Sequence, residues 1–145
     1  MTHKAKTKNG TWVHGFLIGY YSSVDKETVE SFAIFEGIKG VDAVGIEEET
    51  ICQFVCKDRD GNNAYIGDYI ELRNGDRCVQ CLLIKEENGF GIYPSYQDGS
   101  LWRLNIGNGV GEFKVVGNRF DDGDKLKNWL DRKQEWFRRR IYKKE

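Results

Sequence analysis

Glu49-Thr50-Ile51-Cys52-Gln53-Phe54-Val55-Cys56-Lys57-Asp58-Arg59-Asp60-Gly61-Asn62-Asn63-Ala64-Tyr65-Ile66-Gly67-Asp68-Tyr69-Ile70-Glu71-Leu72 reads as strand, turn, strand. Ile51 to Val55 is an apolar run too short for a helix and rich in strand formers. Asp58 to Asn63 is a cluster of turn formers, in which Gly and Asn take positive φ at little cost. Gly67-Asp68 leads into Tyr69-Ile70-Glu71-Leu72-Arg73, which alternates and stops at the hairpin signal Asn74-Gly75-Asp76. Gly allows a tight entry into that strand, and the Asp68 carboxylate can accept from backbone N–H groups there.

The same residues carry a family resemblance. Glu49, Thr50, Ile51, Gln53, Phe54, Asp58, Gly61, Tyr65, Gly67, Asp68 and Ile70 fall on a signature similar to that of the YopX family, small proteins of bacteriophages and prophages. Val115-Val116-Gly117-Asn118-Arg119-Phe120 resembles the family's closing motif, and residues 12–21 suit its opening Trp-containing strand. The resemblance spans roughly residues 10–125. Val55-Cys56, Ile66 and Asp122-Gly123 depart from the family pattern. The resemblance implies an SH3-like β-barrel and a phage or prophage protein; it implies no activity and no catalytic residue.

Outward from that stretch the pattern stays short-stranded. Trp12 to Tyr21 reads as a strand with Trp12, His14, Phe16, Ile18 and Tyr20 on one face, which sets His14 among aromatics against the core. Val29 to Phe35 is a second strand, Glu36 to Gly45 an irregular connection, and Glu47-Glu48-Glu49 a solvated strand entry. Arg77 to Ile84 and Phe90 to Tyr93 flank the hairpin signal Glu86-Glu87-Asn88-Gly89. Leu101 to Ile106 reads as a strand with Trp102 and Leu104 on one face, and Glu112 to Gly117 as the last strand. Seventeen glycines against one proline suit many tight turns.

The C-terminal segment differs in kind. Asp121-Asp122-Gly123-Asp124 offers an N-cap, and Lys125 to Tyr142 has helical periodicity. Leu126, Trp129, Leu130, Trp136, Phe137 and Ile141 fall within about 140° of one another, with basic residues on both flanks. Lys133 and Arg140 interrupt that apolar sector. Residues 125–145 hold nine Lys or Arg against three Asp or Glu, leaving thirteen against twenty for residues 1–124. A basic tail on an acidic body is a mark of an interaction segment.

The chain thus divides into a flexible N-terminus, residues 1–10, in which His3 frays; a β-barrel domain, residues 11–124; and a basic amphipathic helix, residues 125–145. The expected fold class is mainly β, a small SH3-like antiparallel β-barrel with that helix at its C-terminal end.

Chemistry-bearing patterns are few. Cys52, Cys56, Cys78 and Cys81 invite a zinc reading, but Cys78-Val79-Gln80-Cys81 lies in strand-like sequence, where residues three apart face opposite sides about 10 Å apart. Buried free thiols are the expectation. Gly107-Asn108-Gly109-Val110-Gly111 lacks the Lys-Ser/Thr and the following helix of a phosphate loop. Nucleophilic catalysis would have only His14 as a base, with no cysteine tied to it. The expectation is therefore no enzyme, no cofactor and no metal. No apolar run approaches the ~20 residues that cross a bilayer, and neither a membrane contact nor a secretory signal is expected, which makes the cytoplasm the default. The preferred function is a protein-binding or scaffolding module, self-association included. Trp136, Phe137, Arg138, Arg139 and Ile141 are its candidate partner contacts, and nucleic-acid binding through the basic helix is the alternative.

Overall fold

The computed structural model describes residues 2–21, 24, 28–37, 43–87, 89–97 and 99–122. Fourteen strands occur among the described residues: β1 (His3–Lys6), β2 (Trp12–Tyr21), β3 (Val29–Phe35), β4 (Val44–Gly45), β5 (Cys52–Lys57), β6 (Asn63–Tyr65), β7 (Asp68–Asn74), β8 (Arg77–Glu86), β9 (Gly89–Tyr93), β10 (Tyr96–Gln97), β11 (Ser100–Leu101), β12 (Ile106–Gly107), β13 (Val110–Gly111) and β14 (Phe113–Asn118). The protein is mainly β. The first sheet runs β12-β13-β5-β1-β2-β3-β4, with β6 also pairing β5; the second runs β14-β7-β8-β9; β10 and β11 form a small ribbon. Among the described residues pairing is antiparallel except between β13 and β5.

Among the described residues two apolar clusters hold the fold, and the larger joins the sheets, since Cys56 of β5 and Ala64 of β6 pack into the core of the second sheet. There Ile70 and Leu72 of β7 and Cys81 and Leu83 of β8 pack with Ile92, Trp102 and Phe113. In the first sheet, Ala5, Val13 and Ile34 are buried beneath Leu17, Ile46 and Ile51. Burying each large aliphatic side chain stabilises by about 1.5–3 kcal/mol, so the second sheet holds the greater apolar share. Backbone bonds tie the two together: the Arg59 N–H donates to the Phe113 carbonyl, the Gly67 N–H to that of Leu83, and the Arg119 N–H to that of Gly67, all at 2.9 Å. Gly67 stands at φ +96°, a left-handed conformation that a side chain resists, and a Cβ there would sit 3.3 Å from Arg119 Cδ.

Several expectations change. The expected closed barrel is replaced, among the described residues, by open sheets: the first path ends at β12 and β4, the second at β14 and β9. The expected flexible N-terminus is instead β1, an interior strand paired with β2 on one side and β5 on the other. Its Ala5 is fully buried, and the Lys6 N–H donates to Thr50 Oγ1 at 2.8 Å. Two flanking strands and one buried methyl outweigh the low apolar content of His3-Lys4-Ala5-Lys6. His3, expected to fray, lies in this strand opposite Gly15 and Gln53.

The acidic entry is a single 3-10 turn, Glu48–Thr50, with the Thr50 hydroxyl donating to the Glu47 carbonyl. Leu101 to Ile106 is not one strand. The chain leaves β11 at Trp102, whose N–H donates to the Ser95 carbonyl while its ring turns into the core. The predicted helix, residues 125–145, lies outside the described residues. Among those that are described, no helix is long and apolar enough to cross a membrane.

Candidate functional site

Register places three chemistry-bearing residues side by side. Lys4 pairs with His14 on β2 and with Cys52 on β5, so their side chains share one face of the first sheet. Lys6 and Trp12 form the next pair on that face. Residues from β6, β7 and the end of β14 close over the row. The Lys4 ammonium lies 2.9 Å from Asp68 Oδ1, 4.6 Å from the Trp12 ring centroid and 4.8 Å from that of Tyr65. A carboxylate and two aromatic faces around one ammonium give a strong cation site where water is scarce.

Asp68 is fully buried and satisfied. It also accepts from the Tyr65 N–H at 2.8 Å and from Asn118 Nδ2 at 2.7 Å. The sequence reading of Asp68 as an acceptor of backbone N–H groups is met by Tyr65. The ring of Tyr65 in turn meets His14 at 5.8 Å and Phe54 at 5.7 Å between centroids. Beyond Lys4, the Trp12 Nε1–H donates to Asp121 Oδ2 at 3.0 Å, and Lys6 Nζ lies 2.6 Å from Asp121 Oδ1. Phe120 sets its edge to Trp12 at 6.3 Å.

The protonation states of this row favour holding over reacting. Burial pushes the Cys52 thiol up to about 11, and its Sγ donates to the Thr50 carbonyl at 3.3 Å. At neutral pH it is a thiol, not a nucleophilic thiolate. Burial, then the Lys4 charge, lowers His14 below its usual 6.5, which leaves it neutral. Asp121 is held below the usual carboxylate range by its bond to Lys6. A separate buried carboxylate, Asp58, accepts from the N–H groups of Asp60, Asn62 and Val115 at 2.8–3.0 Å and pins the β5–β6 turn to β14. Burial alone would raise Asp58, but those three amides bring it below 3.8.

The four cysteines do not gather. Cys78 is exposed on β8 while Cys81 is buried, with its Sγ donating to the Pro94 carbonyl at 3.4 Å. This is the opposite-face geometry read from the strand pattern. Among the described residues no group of three or more His, Cys, Asp or Glu is placed to hold a metal ion.

The other half of the same face is bare. Along β2 the even positions continue past His14 to Phe16, Ile18 and Tyr20, and Phe35 of β3 stands opposite Phe16. On that face Phe16 is 54 % exposed and Tyr20 48 %, with Ile18 half-buried between them; Tyr21 at 63 % and its partner Val29 at 38 % lie past a bulge at the end of the ribbon. The sequence reading had this alternating face against the core. The core instead takes the odd positions Val13 and Leu17, and His14 is only half-buried. The signal for an uncovered face was present in the sequence, since β2 is apolar on both sides and one small sheet cannot bury both. The sequence-predicted contacts Trp136, Phe137, Arg138, Arg139 and Ile141 lie outside the described residues.

Beside the ribbon of β2 and β3 an open cleft of about 480 Å³ runs between the Thr7–Asn9 turn and β4, with Lys8 as the one charged residue in its lining among the described residues. Compared with known protein families, characterised proteins and solved structures, the chain matches none.

Proposed function

We propose that this chain is a non-enzymatic protein-binding or scaffolding module of the phage and prophage type that its YopX-like motifs imply, working in the cytoplasm. The observation that carries the reading is the bare ribbon. Phe16, Tyr20, Tyr21 and Val29 expose large apolar side chains on two paired strands, and exposed apolar surface of this kind serves association. Tyr and Phe are also favoured anchors at protein interfaces. The surface acts together with the apolar stripe of residues 125–145, in which Trp136, Phe137, Arg138, Arg139 and Ile141 are partner contacts. The SH3-like barrel is our finer reading of the fold, with β5 and β6 and the β14-β7-β8-β9 sheet as its opened wall.

A photo-crosslinking residue at Tyr21 in the producing cell tests the function. A discrete protein adduct, absent when the probe is moved to exposed Lys114, supports it; no protein adduct, or one to nucleic acid alone, sinks it. The basic character of residues 125–145 favours the second reading, a nucleic-acid binder. That reading requires affinity to fall about 10³-fold or more between 50 and 200 mM salt, and the acidic body works against it.

A further inference from the structure

We propose that Lys4 and Asn118 become joined through their side chains, the lysine nitrogen displacing ammonia from the asparagine amide while Asp68 carries the protons. The structure holds the reactants, side by side and unjoined. The inference is independent of the protein-binding reading.

One oxygen gathers the two groups. Lys4 Nζ donates to Asp68 Oδ1 at 2.9 Å and Asn118 Nδ2 donates to the same atom at 2.7 Å. The amine and the amide nitrogen are therefore no farther apart than those two bonds laid end to end. The Phe120 N–H donates to Asn118 Oδ1 at 2.8 Å, which turns the amide oxygen to the backbone and its nitrogen to the carboxylate. That N–H also draws charge from the carbonyl, and it is in place for the oxygen when the oxygen becomes negative. The Tyr65 N–H donates to Asp68 Oδ2 at 2.8 Å and holds the carboxylate in position.

The three residues come from three strands, Lys4 from β1, Asp68 from the start of β7 and Asn118 opposite it at the end of β14. The Lys4 side chain is 12 % exposed, that of Asp68 1 %, and Asn118 is 5 % exposed. The rings of Trp12 and Tyr65 wall the ammonium. Keeping a lysine charge in so dry a place is costly, and the bond removes it to water as ammonium. Amines and amides scarcely react when free in water, but groups held in this way act at effective molarities of about 10⁵–10⁸ M.

The step balances within the three residues. Asp68 takes one proton from the Lys4 ammonium, which frees the lone pair on Nζ. Nζ then turns off Oδ1 about the last torsions of its side chain and attacks Asn118 Cγ. The N–C bond forms as the carbonyl electrons move onto Oδ1 beneath the Phe120 N–H. Asp68 passes its proton to Nδ2 and takes a second from Nζ. The Cγ–Nδ2 bond breaks, its electron pair leaves on nitrogen, and the second proton makes that nitrogen ammonium. Nothing is oxidised or reduced, and Asp68 ends as the carboxylate that it was. The event occurs once in each chain, so it is no turnover. It ties the interior strand of the first sheet to the edge of the second.

The test uses the full chain as purified and after prolonged incubation. Its intact mass should fall short of the sequence mass by one ammonia, after allowing for the initiating methionine. Trypsin should then fail to cut after Lys4 and release the peptide ending at Lys6 joined to Val115–Arg119. A succinimide at an Asn-Gly pair such as Asn74-Gly75 loses the same ammonia, so the joined peptide is the deciding reading. A chain of full mass, or an ammonia loss mapped elsewhere, overturns the proposal. Loss of water with Lys4 joined to Asp68 overturns it too. Asp68→Asn should abolish the joined peptide, and its persistence would remove Asp68 as the proton carrier. Should that variant fail to fold, the peptide map of the unsubstituted chain still decides.

Discussion

Trp12 and His14 at one end of β2, and Phe16 and Tyr20 at the other, point to the same side of one strand, yet they live in different surroundings. The first pair is roofed by Tyr65, Phe120 and Asp121 and surrounds a lysine whose charge is answered at 2.9 Å. The second pair faces outward with no comparable roof among the described residues. The difference shows where this fold spends polar chemistry. Charges lock the joint between the sheets, and apolar surface stays exposed on the other half of β2.

The contrast can be broken most directly at Asp68. Asp68→Ala leaves the buried Lys4 ammonium without its carboxylate and frees Asn118 and the Tyr65 amide, and should cost about 3–5 kcal/mol. Urea denaturation followed by tryptophan fluorescence reads it; a cost under 1 kcal/mol would mean that the joint is not held by charge. Asp58→Ala removes an acceptor from three backbone amides and should cost about 3 kcal/mol by the same measurement. Its effect should reach hydrogen exchange in both the β5–β6 turn and β14, because the carboxylate bridges them.

Acid gives a smaller effect with a defined sign. The folded pKa of His14 lies below 6.5, so stability is complete above that value and declines as pH falls beneath it, where the unfolded chain takes up a proton that the folded chain resists. Asp58 and Asp121 have folded pKa values below 3.8, so their contribution is present above 3.8 and is lost as pH falls through the folded values. The thermal midpoint should therefore fall in two stages, and His14→Gln should flatten the first. The least costly change is on the bare half. Phe16→Ser should shift stability by less than about 0.5 kcal/mol while weakening any association. A large loss of stability there would show that this half is core after all.

Much of this was legible in the sequence, and the failures have physical causes. β2 and β3 begin and end at the residues that their pattern and turn signals indicate, because each is long and bounded by polar turns. The hairpin at Gly75-Asp76 follows from turn chemistry alone. Asp68 was readable as an acceptor of local amides, but its partner Lys4 lies 64 residues away, and no local pattern encodes such a pairing. β1 was not readable because its strand conformation is imposed by β2 and β5 and not by its own residues. The choice between the two faces of β2 was likewise settled elsewhere, by Ala5, Ile34, Ile46 and Ile51, which gather on the odd side.

The interior position of β1 has a consequence for how the chain is made. Its hairpin partner β2 follows at once, but β5, Asp68 and Asp121 emerge from a ribosome much later, and the Trp12–Asp121 bond spans 109 positions. At 5–20 residues per second the nascent chain waits on the order of ten seconds between making Lys4 and making the last group that covers it. During that interval an unpaired strand edge and a row of aromatics are open to other nascent chains. Closure of loops this long also sets a slow refolding rate. The same contacts that make the finished joint firm are among the later ones to form.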